Sequence, residues 1–373
     1  MLDGIEVLSW VQRNIAAFGG DPSRVTLYGQ SSGGTFTTAL LISPLARGLF
    51  HRALSLSGSP MISQDRRSTE KLNVAFVQAT PCPLFPNNDT LSCLYGLTAS
   101  QVLAAAPFNT FPFWAGTVPP NNLFDLPIAD TVQGGLIVVD GHVIPLPIME
   151  ALATADRSLD VPLMLGNVAQ EIDFYPGQNL SSVTTQDAWA AWVKKQFLSW
   201  GPDFAQRVLQ LYPLGPLGAQ YTYETMTTDA RSLCGNLQLA RIAAGNQARR
   251  SPVYFFLNTQ RPNQPFSFLA SEWKQQYSFH MFDLMNFLDA LNSFAPTYPI
   301  QASDKRHRNL LQDLWLAFVS DGEVPGWPTV GSDLQQYPSV ILNDTLSSAP
   351  RLREEKCKFW IDNGFVAQYS WNN

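Results

Sequence analysis

Charge is scarce in this 373-residue chain: Asp, Glu, Lys and Arg make up 14% of it, with a net balance of −6 and a pI near 5.2. A protein that neutralises nucleic-acid phosphates needs a basic patch, and its absence argues against a nucleic-acid partner. The one concentrated basic run, Lys305-Arg306-His307-Arg308, reads as the solvated start of a helix. No window approaches the ~20 consecutive apolar residues of a membrane span, and neither end carries a readable targeting signal. Cysteine is sparse, four in all, without a C-x-x-C pair, and no glycine-rich phosphate loop follows a strand. No metal or cofactor is therefore implied. Internal repeats and low-complexity linkers are also missing. What is plentiful is apolar side chain, 45% of the residues, enough to bury a large core and too much for a disordered chain. The expectation is one domain over residues 1–373.

The most informative stretch is Arg24-Val25-Thr26-Leu27-Tyr28-Gly29-Gln30-Ser31-Ser32-Gly33-Gly34. A β-type run, Val25 to Tyr28, drives into a glycine-flanked serine, and Thr35 to Ile42 can continue as a helix. In a G-x-S-x-G turn the serine occupies strained backbone between strand and helix, and Gly29 and Gly33 keep its crowded neighbours free of side chains. Ser31 is then a candidate nucleophile. The Ser32 N–H, at the helix N-terminus, faces the place where an oxyanion would develop.

Residues Asp3 to Pro60 resemble the type-B carboxylesterase family, which includes cholinesterases and fungal lipases of the α/β-hydrolase fold. The likeness is carried by Leu8-Ser9-Trp10-Val11-Gln12-Arg13-Asn14-Ile15, by Phe18-Gly19-Gly20-Asp21-Pro22, by the Ser31 turn, and by Gly48-Leu49-Phe50-His51-Arg52-Ala53 leading to Ser57-Gly58-Ser59. It continues in patches to Cys357-Lys358-Phe359-Trp360, so it covers nearly the whole chain. The resemblance implies an α/β fold with a Ser, acid, His chain order. Of four histidines, His51 and His142 precede every plausible acid loop and His307 sits in the basic run, which leaves His280 as general base. Met281 stands where the family usually has glycine. Glu171, five residues beyond Gly166, matches the family's acid position, with Ile172 replacing its usual glycine; Asp173 is the alternative acid. Gln30 replaces the glutamate often found beside the nucleophile. Ser57, in a loop near the serine, is either a supporting hydrogen-bond residue or a plain turn residue. The resemblance also implies two disulfides, Cys82 with Cys93 and Cys234 with Cys357.

Along the chain, Leu8, Val11, Ile15 and Phe18 recur at helical spacing until Gly19-Gly20 stops the helix. Strands are expected at 53–56, 161–166, 253–257 and 340–342, and a C-terminal helix around Leu310 to Phe318. Between Gln64 and Pro145 a helical start gives way to a proline- and aromatic-rich stretch with Phe108, Phe111, Phe113 and Trp114. It either roofs the sheet and shapes an apolar gorge or is a packed surface loop. Sequons at Asn88, Asn179 and Asn343, together with an even cysteine count, lean towards a glycoprotein of the secretory pathway.

Measured against the family, the sequence starts late: the strands before the nucleophile strand and the glycine-rich oxyanion loop are absent. The expectation is a partial, N-terminally truncated α/β-hydrolase, a fragment whose hydrolysis of a small-molecule or lipid ester through an acyl-enzyme would be weak or absent unaided. A non-catalytic esterase-like adhesion or binding module and a truncated pseudoenzyme are the alternatives. Retention of Ser31, Glu171 and His280 argues against the first of these.

Overall fold

The computed structural model describes residues 1–84, 89–105, 126–127, 137–268, 272–331 and 339–371. Eight strands occur among them: β1 (Thr26–Gln30), β2 (Arg52–Leu56), β3 (Gln64–Asp65), β4 (Val138–Val139), β5 (Leu163–Val168), β6 (Val253–Asn258), β7 (Ser339–Leu342) and β8 (Leu346–Ala349). Six form one sheet in the order β1-β2-β5-β6-β7-β8, parallel except for the antiparallel β7–β8 hairpin, and β3 pairs in parallel with β4. The expected strands lie within one or two residues of those seen.

Parallel strands covered on both faces read as continuous apolar runs rather than as alternation. Every residue of β5 and β6 is buried. The period of two still sorts them: Leu163, Leu165, Val253, Phe255 and Leu257 enter one core with Ala39 to Leu41 and the Cys234–Gly245 helix. Met164, Tyr254 and Phe256 enter another with Leu311, Trp315 and Phe318 of the Ala302–Asp321 helix. The result is a sheet between two helical layers. Among the described residues β1 pairs only with β2, and Tyr28 on β1 is half exposed.

The opening helix runs Leu2–Asn14 and tightens into a 3₁₀ turn at Ile15–Phe18, ended by Gly19 at φ 82°. Only Leu8 of its apolar residues is fully buried, and Phe18 is exposed with its ring near Trp10. Both disulfides that the resemblance implies are present, with Cα atoms 5.6 Å apart at Cys82–Cys93 and 5.0 Å at Cys234–Cys357. The aromatic stretch of Phe108, Phe111, Phe113 and Trp114 lies outside the described residues.

One expectation is corrected. His307 is not solvated: it is fully buried, although Lys305 and Arg306 beside it are exposed. The helix starts at Ala302 behind a Gln301–Asp304 capping box, which puts 304, 307, 311, 315 and 318 on one core-facing stripe. Counting charges in a four-residue run misses that periodicity. Burial pushes the His307 imidazole down to about 3, so it stays neutral at neutral pH.

Candidate active site

Ser31 and Glu171 lie just beyond the C-terminal ends of β1 and β5, and His280 lies on the long loop after β6. Ser31 follows β1 at φ 60°, ψ −126°, a conformation that costs an L-residue about 1–3 kcal/mol and persists only where the surroundings enforce it. They do so here: the Ser31 N–H donates to the Leu56 carbonyl at 2.9 Å, and the Ser32–Leu41 helix begins at the next residue. The Ser32 N–H thus belongs to the first turn, whose donors have no partner within the helix.

The steric role assigned to the two flanking glycines needs correcting. A Cβ on Gly29 would sit 2.1 Å from the Gly33 carbonyl oxygen, whereas one on Gly33 would meet nothing within 4 Å. Gly34 is the second crowded position, 2.8 Å from the Leu56 carbonyl oxygen. Gly33→Ala should therefore leave the unfolding midpoint near that of the parent, while Gly29→Ala costs about 1–3 kcal/mol or more of overpacking. Thermal or denaturant unfolding of the two variants checks this, and equal losses would contradict it.

Glu171 opens a single helical turn (Glu171–Phe174) just beyond β5, and His280 lies in the loop that follows β6. The Glu171 Oε2 to His280 Nδ1 distance is 2.7 Å, with the carboxylate fully buried and the imidazole 5% exposed. The other carboxylate oxygen accepts from Asn167 Nδ2 at 2.8 Å and from the Val168 N–H at 3.2 Å. The main chain adds a bond from the His280 N–H to the Glu171 carbonyl. On the far side of the ring, Nε2 stands 3.0 Å from the side-chain amide nitrogen of Gln30, the residue before Ser31. With Nδ1–H donated to the carboxylate, Nε2 is the acceptor and the Gln30 amide the donor. Met281, in place of glycine, takes the left-handed φ of 75° that the glycine would have supplied.

Asp173, the alternative acid, is engaged elsewhere. It accepts from Trp273 Nε1 at 2.9 Å, the Gln276 N–H at 2.7 Å and the Tyr277 N–H at 2.6 Å, and so fastens the loop that leads to His280. Burial pushes its carboxyl up to about 6. Asp283, three residues past His280, is also fully buried; burial and then the charge of Glu171 push it up to about 7. Ser57 is buried at φ 49°, and its N–H donates to the Gly166 carbonyl at 2.7 Å, so its backbone ties the β2 loop to β5.

Some residues of the site were not read from the sequence. Asn167 links Glu171 to Ser232 and Asn236, and Asn236 reaches the Gly58 carbonyl. An asparagine inside an otherwise apolar strand was the available signal, since a buried amide needs partners. Trp371 packs its ring against His280, with centroids 4.7 Å apart. A residue so distant in sequence leaves no local trace.

A strained serine between a parallel strand and a helix, with an acid and a histidine on later strand-end loops, defines an α/β-hydrolase. The chain belongs to the carboxylesterase family, whose model matches residues 1–360. It is 26% identical to human cocaine esterase, over 96% of this chain and 61% of that protein, and 27% identical to the para-nitrobenzyl esterase of Bacillus subtilis (strain 168), over 98% and 68%. A solved PNB esterase structure shares the fold with a TM-score of 0.70 at 24% identity, covering 96% of this chain and 67% of the other. The chain thus spans about three-fifths of the human relative's length. Among the described residues, no helix is long and apolar enough to cross a membrane.

Proposed function

We propose that the chemistry of this site is carboxylic ester hydrolysis, with Ser31 as nucleophile, His280 as general base and Glu171 as the acid that orients it. The observation that carries this reading is the buried 2.7 Å contact between Glu171 and His280 Nδ1, with the opposite ring nitrogen directed at the residue next to Ser31. In that tautomer Nε2 takes the Ser31 proton as Oγ attacks the ester carbonyl and later returns it to the leaving alcohol. The Gln30 amide must yield the Nε2 lone pair for this to occur. The Ser32 N–H stabilises the oxyanion, and water then releases the acyl group. Membership of the carboxylesterase family supports an ester substrate.

A fluorophosphonate reporter tests the assignment. Covalent labelling should map to Ser31, and Ser31→Ala should abolish both labelling and p-nitrophenyl ester hydrolysis. Labelling that survives the substitution would reveal another nucleophile; no labelling of folded parent protein would favour a binding module or a pseudoenzyme.

The two disulfides suit an extracellular or secretory-pathway protein. Secretion and glycosylation are part of the proposal. Asn179 is exposed and Asn343 half-buried, while Asn88 lies outside the described residues. In a eukaryotic secretory host, glycosidase treatment should raise gel mobility, and Asn179→Gln should remove one step of that shift; unchanged mobility would count against glycosylation.

A further inference from the structure

We propose that Trp371 is a positioning residue for His280, its indole steadying the imidazole and stabilising the ring when it carries a second proton. The inference rests on His280 acting as the general base.

Chain termini are poorly ordered unless tied down, and this one is tied at several points. The Cys234–Cys357 disulfide fastens the Glu354–Asp362 helix to the Cys234–Gly245 helix. Further along, the Ser370 hydroxyl donates to the Val366 carbonyl at 2.8 Å. The Trp371 N–H donates to the Arg231 carbonyl at 2.6 Å, and its own carbonyl accepts from the Ser59 hydroxyl. Ser59 belongs to the loop after β2 and Arg231 to the helical turn Asp229–Leu233, so that loop, that turn and the C-terminal segment meet at Trp371. The Trp371 side chain is left 3% exposed, with its ring 4.7 Å from that of His280.

A cation within about 6 Å of an aromatic centroid is attracted by the ring quadrupole, most strongly by tryptophan. The imidazole becomes such a cation when it takes the Ser31 proton. Its other neighbours are Glu171 at Nδ1, Gln30 at Nε2 and the Phe174 ring at 6.2 Å. Among the ionisable side chains of the surrounding elements, Asp173 on the Glu171–Phe174 turn is taken up by the loop that leads to His280. Asp283, on the segment after His280, is coupled to Glu171, and Arg231 is on the helix that binds the Trp371 backbone. Glu171 and Trp371 therefore grip the imidazole from different directions, one fixing the tautomer and the other the ring plane.

The test uses the whole chain and a readout that needs no turnover. Protonated imidazole quenches indole emission on contact, so acidifying until His280 takes up its second proton should dim the Trp371 component. That component is the difference between the parent and Trp371→Phe, and the pH-linked change should vanish in His280→Gln. Fluorophosphonate labelling of Ser31 should slow about 2- to 30-fold in Trp371→Leu, with Trp371→Phe recovering most of the loss. If Trp371→Leu does not fold, the Trp371→Phe and His280→Gln titrations carry the test. Quenching that persists in His280→Gln, or parent labelling rates in a folded Trp371→Leu, would overturn the assignment. Absence of any Ser31 labelling would instead defeat the ester-hydrolysis reading, while the titration still reports whether Trp371 senses His280.

Discussion

Glu171→Gln should reduce the rate of Ser31 acylation by about 10⁴-fold, the size of effect expected when the histidine of such a triad is held in the wrong tautomer. The reason lies in the second carboxylate oxygen. Asn167 Nδ2 and the Val168 N–H both donate to Oε1, so a glutamine at 171 keeps its carbonyl oxygen there and turns its amide N–H₂ towards His280. Facing a donor, Nδ1 must become the acceptor. The ring proton then moves to Nε2, where it blocks the lone pair that would take the serine proton. Asp173→Asn should behave differently, because that carboxylate meets Trp273, Gln276 and Tyr277 and not the imidazole. It should lower the unfolding midpoint and leave acylation within about tenfold, since a donor–donor clash there costs about 1–3 kcal/mol of loop stability. Labelling rates and p-nitrophenyl ester turnover of the two variants decide between the acids, and a larger rate loss in Asp173→Asn would move the role.

What the sequence made legible follows physical rules that act over a few residues. The Ser31 turn is readable because strained backbone with a close carbonyl at Gly29 demands a fixed pattern of small residues. Strands β5 and β6 are readable because a doubly covered parallel strand has to be apolar throughout. Glu171 and His280 were reached through chain order and family resemblance, and they lie in contact across 109 residues.

What escaped the sequence depends on contacts made between distant segments. His307 looked solvated because its neighbours are charged, yet the helical period turns it inward. The same is true of the Asn167–Asn236–Gly58 link and of Trp371. None of these positions breaks a local rule conspicuously enough to declare its partner. Gly33 failed in the opposite sense: a motif position was given a steric reason that belongs to Gly29 and Gly34.

Asp283→Asn should stabilise the protein at pH 8 relative to pH 5 by about 2–3 kcal/mol more than the parent changes over the same interval. The parent carboxyl is fully buried and pushed up to about 7, by burial first and then by the charge of Glu171. An acid whose folded value lies above its unfolded value of about 3.9 binds more protons folded than unfolded between the two. Its contribution to stability therefore declines as pH rises from about 4 to about 7 and stays fully unfavourable above that, by about 4 kcal/mol for a shift of this size. Asp173, pushed up to about 6 by burial, acts in the same direction, and His307, pushed down to about 3, acts in the opposite one by losing stability as pH falls below the usual imidazole range. Both remain in the variant, so the comparison isolates position 283. One carboxylate oxygen already accepts from the Leu284 N–H at 2.8 Å, which an asparagine carbonyl retains, while the other has no hydrogen-bond partner among the described residues. An amide N–H₂ left unpaired there costs about 1–3 kcal/mol at every pH, which lowers both melting curves without changing their separation. Denaturant unfolding of parent and variant at the two pH values gives the double difference directly; a value near zero would mean that Asp283 keeps an ordinary carboxylate's proton affinity in the folded chain.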